Sequence, residues 1–149
     1  MKKYLLIIIL LLLVLCGCNK ESNDSKFYLN KKYYNTGEYI KTKSSSINNN
    51  KDSYILYTYN NYCSLAIPCE DIFEEFMKQY KIDFLSIPFD DFKDTYLYDK
   101  VKYGPTIIIV KNGKIVSYLD ANNDEDIEKY QDVEKFKDWV SNYIYLEKK

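Results

Sequence analysis

Two cysteines, Cys63 and Cys69, stand in the stretch NYCSLAIPC, and they are the only cysteines outside the extreme N-terminus. Two thiols with five residues between them admit three kinds of chemistry: a structural bridge, a metal site, or a pair that exchanges electrons. A bridge would close a loop of seven residues and stabilise a small domain by about 2 to 2.5 kcal/mol in the chain-entropy model. A metal site would have to draw on carboxylates or a second chain, because two thiolates without further Cys or His make a poor zinc centre. A redox pair would work by thiolate attack on a disulfide, a mixed disulfide, and resolution by the second thiol.

The composition narrows the field. The chain of 149 residues has no histidine, and every basic residue is lysine. Without imidazole there is no serine/histidine or cysteine/histidine catalytic couple and no imidazole metal ligand. Without guanidinium there is no bidentate grip on phosphate and no arginine reader of guanine, so phosphoryl transfer and sequence-specific nucleic-acid binding are disfavoured. Nothing in the composition calls for a metal or another cofactor. The acidic run Asp120, Asn122, Asp124, Asp126 invites a calcium reading. It lacks the glycine needed at the sixth loop position, and Gln131 stands where a bidentate glutamate belongs, so it reads as a solvated loop.

The elements that must hold the cysteines can be read from periodicity. Tyr54 to Tyr59 is a β-prone run bounded by asparagines. Beyond the cysteines, Ile72, Phe73, Phe76, Met77 and Tyr80 recur at helical spacing, with Pro68 suited to the first turn and Glu70, Asp71, Glu74 and Glu75 crowding the start. The cysteines therefore fall in a strand-to-helix connection. Residues 82–89 read as a second core strand, and 90–100 as a connection of weak helical character. Then come Gly104-Pro105-Thr106, an apolar strand from Ile107 to Val110, a Lys111-Asn112-Gly113-Lys114 turn and a strand from Ile115 to Leu119. Asn-Gly between apolar runs is a strong hairpin signal. Val133, Phe136, Trp139, Val140, Tyr143 and Ile144 form one face of a last helix. Residues 27–42 are read as adding a strand at the sheet edge, and 44–52 as a loop. Strands alternating with helices require a mixed sheet covered on both faces.

This order resembles the thioredoxin-like superfamily over residues 54–146. Tyr62-Cys63 sits where the family has an aromatic residue and its first active-site cysteine, and Pro68-Cys69 is similar to its proline and second cysteine. Pro105 before Thr106 matches the cis-proline, and Lys111 to Lys114 the turn of the terminal hairpin. The resemblance implies an α/β fold, a thioredoxin-like three-layer α/β/α sandwich with a mixed central sheet. It implies Cys63 and Cys69 as the exchanging pair, and Tyr62, Gly104 and Pro105 as the edge that meets a protein thiol or disulfide. Two departures stand beside these matches. Five residues, not two, separate the cysteines, so the thiols meet only if 64–67 form a loop, and Pro68 supports one. Many thioredoxins have a buried aspartate six positions before the first cysteine; here that position is Tyr57, and no replacement base is evident. Chain order favours Cys63 as nucleophile, whereas nearness to the helix start favours Cys69. The second reading is a non-catalytic binding lipoprotein of the same fold, stapled by a Cys63–Cys69 disulfide.

The leader, residues 1–17, has Lys2 and Lys3, an apolar run from Leu5 to Leu15 and small residues at its end, the shape of a secretory signal. Leu15-Cys16-Gly17-Cys18 resembles a bacterial lipobox, which implies lipid on Cys18 and a place on the extracytoplasmic face of a membrane. Disulfides persist there. Removing the leader leaves 19 lysines against 22 acids, a net charge of about −3 and no basic patch. Residues 18–52 then form the lipidated cysteine and a polar tether with its edge strand, and 53–149 the domain.

Overall fold

A computed structural model describes residues 26–60 and 66–148. Cys18, Tyr62 and Cys63 lie outside the described residues. Five strands form one sheet in the order β1-β3-β2-β4-β5: β1 Tyr39–Lys41, β2 Tyr54–Tyr59, β3 Phe84–Pro88, β4 Thr106–Lys111 and β5 Lys114–Tyr118. The first three are mutually parallel, and β4 and β5 run antiparallel to their neighbours. The sheet is therefore mixed, and its central strand β2 is the one that leads to the cysteines. Tyr54, Ile55, Leu56 and Tyr57 are all buried. A strand covered on both faces reads as such a continuous run.

Helix α1 is Ser44–Asn49, α2 Cys69–Tyr80, α3 Phe89–Phe92, α4 Asp124–Ile127 and α5 Val133–Ser141. One layer joins α2 and α5 through Phe73, Phe76 and Phe136, whose rings meet at centroid distances of 4.9 Å (Phe73–Phe136) and 5.0 Å (Phe76–Phe136). Alternation along β2 puts Tyr57 on this side, where its ring meets Phe73 at 5.4 Å. The opposite layer is irregular, built from α1, α3 and the segment to Val101, with Ile47, Phe92, Leu97 and Val101 fully buried. The result is the expected three-layer sandwich.

The hairpin turn follows its sequence signal. Asn112 and Gly113 take φ values of 50° and 72°, and Lys111 pairs with Lys114. One extra residue, Val116, bulges where Ile109 pairs with Ser117 and Val110 with Ile115.

Two differences from the sequence expectation concern the N-terminal third. Residues 44–49 are helical rather than a loop. Nothing in SSSINN predicts this; the turn is held because Ile47 is fully buried and Asn48 is clamped from both sides. Its Nδ2 donates to the Asp94 carbonyl (3.0 Å) while its Oδ1 accepts from Tyr96 N–H (3.0 Å). The packed body also takes in residues ahead of residue 53, from Phe27 on. Phe27 bridges to Ile144, and Leu29, Tyr33 and Tyr34 are buried. The edge strand expected within 27–42 is β1, pairing with β3 in parallel.

Candidate functional site

Helix α2 opens on Cys69 itself, with Pro68 at the cap in extended backbone (φ −56°, ψ 122°). Proline fits here because its missing N–H is one the helix start would leave unpaired. Cys69 is 1 % exposed, so its sulfur lies under the helix start, not on the surface. Glu70 and Asp71 occupy the first turn.

Tyr57 reaches the same point from the C-terminal half of β2. Its hydroxyl lies 3.8 Å from Cys69 Sγ and donates to Glu70 Oε1 at 3.1 Å. The position that seemed to lack any proton-handling group in the sequence thus holds a phenol in contact with the second cysteine. Burial, followed by the proximity of Cys69 and Glu70, pushes the Tyr57 phenol far above its ordinary value. A groove of about 280 Å³ opens beside it between Tyr39, Tyr59, Glu70 and Glu74.

The Gly104–Pro105 peptide is cis. Its two carbonyls are each held: Asn60 Nδ2 donates to Gly104 O (2.7 Å) and the Tyr130 hydroxyl donates to Pro105 O (3.2 Å). Tyr130 is fully buried, its ring packs on Phe73 of α2, and burial foremost, with Cys69 among the nearby groups, raises its phenol. One side chain therefore ties the cis-proline edge to the helix that carries Cys69. The connection to α2 is also tied to the segment that precedes α5 in the same layer. Ile67 N–H donates to Gln131 Oε1 (3.0 Å) and Gln131 Nε2 donates to the Ile67 carbonyl (2.8 Å). The sequence marked Asn60 only as a strand boundary and Gln131 only as a misfit in a calcium loop, and it did not mark Tyr130, since their roles depend on pairings 44, 64 and 25 residues apart.

Of the site residues read from sequence, the structure brings Cys69, Gly104 and Pro105 to this end of the sheet, while Tyr62 and Cys63 fall outside the described residues. The acidic run is occupied by its own turn: Asp126 Oδ2 accepts from Asp120 N–H (2.9 Å), and Asp126 Oδ1 pairs with Lys129 (2.5 Å).

Gly104 has no room for a side chain. A Cβ there would lie 2.5 Å from Cδ2 of Phe89, a ring that also packs on Phe92 and Tyr98. Gly104→Ala is expected to cost about 1–3 kcal/mol of stability, measured by urea denaturation, and to shift the Pro105 edge.

Comparison with known proteins agrees with this geometry. A family model described as Thioredoxin matches residues 39–133, and the chain belongs to the thioredoxin family. Among solved structures, thioredoxin from Schistosoma mansoni is 20% identical, covering 74% of this chain and 99% of that one at a TM-score of 0.50. The oxidised thioredoxin of Plasmodium falciparum is 23% identical, covering 66% and 96% at 0.44. That of Trypanosoma brucei brucei is 15% identical, covering 71% and 94% at 0.48. At these identities the likeness is one of fold. No curated protein matches the chain.

Proposed function

We propose that this chain is a thiol/disulfide oxidoreductase, anchored by lipid on Cys18 to the extracytoplasmic face of a bacterial membrane, acting on cysteines of exported or envelope proteins. The observation that carries the redox reading is the juxtaposition, in a member of the thioredoxin family, of Cys69 at the first residue of α2 and a cis Gly104–Pro105 edge tied to that helix through Tyr130. The leader and the Leu15-Cys16-Gly17-Cys18 sequence support the anchor and the compartment.

Cys63, as thiolate, attacks one sulfur of a substrate disulfide, and the electron pair leaves on the other sulfur, which takes a proton. Cys69, too buried to be met first, then attacks Cys63 as thiolate. A Cys63–Cys69 bond forms, the Cys63–substrate bond breaks, and the substrate leaves reduced by two electrons. The reverse sequence oxidises a dithiol. Gly104 and Pro105 form the edge along which an extended substrate segment lies, and the family resemblance assigns Tyr62 to the same role.

The burial of Cys69 also favours a second reading, a binding lipoprotein with a permanent Cys63–Cys69 staple. The reduction potential separates the two. Equilibration of the protein in graded thiol buffers, with thiols counted by mass, is expected to give a value between about −120 and −270 mV. A value below about −300 mV would establish the staple instead.

A further inference from the structure

Three groups converge on one hydrogen atom. Tyr57 carries a single O–H, Glu70 Oε1 lies 3.1 Å from its oxygen, and Cys69 Sγ lies 3.8 Å from it. A neutral phenol can donate only once, and both neighbours are better acceptors when negatively charged. We propose that Tyr57 is the ionisation switch of Cys69: its hydroxyl is the one donor for which the Glu70 carboxylate and the Cys69 sulfur compete.

With Cys69 as thiol, the carboxylate is the stronger acceptor, so the phenol donates to Glu70 and its lone pairs face the S–H. When the thiol gives its proton to solvent, the phenol hydrogen turns to the thiolate, and Glu70 is left to water. That exchange is open to Glu70 because its side chain is exposed at the groove, whereas the sulfur, 1 % exposed, has no comparable access to water. Tyr57 thus lowers the cost of a buried thiolate, and Glu70 raises it by withholding the donor and by its own charge.

Among the described residues, other polar groups also face the sulfur or line the groove beside it. Tyr39 of β1 and Tyr130 beyond α4 both face it, and burial first of all raises each phenol well above its ordinary value. Glu74 is paired with Lys78 at 2.9 Å, Ser86 of β3 is uncharged, and Lys41 of β1 lines the same groove in exposed position. The role of this switch in resolving a mixed disulfide rests on the redox reading above, but its effect on Cys69 ionisation does not.

The test follows alkylation of Cys69 against pH in the reduced full-length chain carrying Cys63→Ser, with the label quantified on the peptide that contains Cys69. Y57F is expected to raise the midpoint by roughly one pH unit, a tenfold loss of thiolate at a given pH. E70Q is expected to lower it, and to lower it less when made on top of Y57F. Shifts of the same sign, additive shifts, or a Y57F midpoint unmoved within ~0.3 unit would each overturn the switch, since loosened packing alone moves both variants together. Should Y57F fail to fold, E70Q still tests the competition: an unchanged or higher midpoint ends it. Because no disulfide substrate is involved, this result is independent of whether exchange activity is found.

Discussion

Disulfide exchange is expected to fall to the uncatalysed level when either Cys63 or Cys69 is replaced by serine, and the two variants are expected to fail in different ways. Cys69 is 1 % exposed beneath the start of α2, so a chain carrying Cys63→Ser keeps a thiol that an incoming protein disulfide does not reach. It forms no adduct. The Cys69→Ser chain keeps the attacking group and loses the one that resolves, so it accumulates a mixed disulfide with substrate, visible as a mass increase that a reductant removes. The substitution also places a hydroxyl among Tyr57, Phe73 and the buried end of the sheet, at a cost of about 1–3 kcal/mol unless it bonds to Tyr57. Denaturation run beside the exchange assay separates that cost from the chemical loss. Trapping by Cys63→Ser rather than Cys69→Ser would reverse the assigned order. Trapping by neither, with a large loss of stability in both, would point to a staple.

What could be read in the sequence were features carried by neighbours. The apolar run of β2, the helical spacing from Ile72 to Tyr80, the Asn112-Gly113 turn and the Gly104-Pro105-Thr106 string each depend on a few consecutive residues, and each appears in the fold with its expected backbone form. What could not be read depends on residues brought together from a distance. Tyr57 drew notice only as a missing acid, because the contact that gives it meaning crosses from a strand to the start of a helix. The α1 turn escaped for a related reason. Six polar-biased residues have no helical signal of their own, and their helix exists because Asn48 is bonded by Asp94 and Tyr96, more than forty residues on. The N-terminal third looked like a tether because its apolar residues are sparse, yet Leu29, Tyr33, Tyr34 and Ile47 are all spent on the core.

The device that docks this N-terminal segment sets the second large effect: Asp83→Ala is expected to destabilise the fold by about 3 kcal/mol, more than any exposed charge could. Asp83 precedes β3 and is 2 % exposed. A buried carboxylate without partners would be prohibitive, but one oxygen of Asp83 accepts three backbone N–H bonds, from Thr36 (3.2 Å), Gly37 (2.7 Å) and Glu38 (3.0 Å). These are charge-assisted, and they fold the chain into the bend that leads into β1. Gly37 makes the bend possible: its φ is +81°, and a Cβ there would lie 2.2 Å from the Met77 carbonyl oxygen, a backbone atom that has little freedom to yield. Alanine at 83 leaves the N–H groups without their acceptor and releases β1 from its place beside β3. Asp83→Asn keeps an acceptor oxygen of the same reach and loses only the charge, so it is expected to cost about 1 kcal/mol, well under half as much. Urea denaturation of the two variants measures the difference. Equal losses would mean that the site is held by shape rather than by the carboxylate, and a loss under ~1 kcal/mol for alanine would mean that β1 is docked by its strand pairing alone.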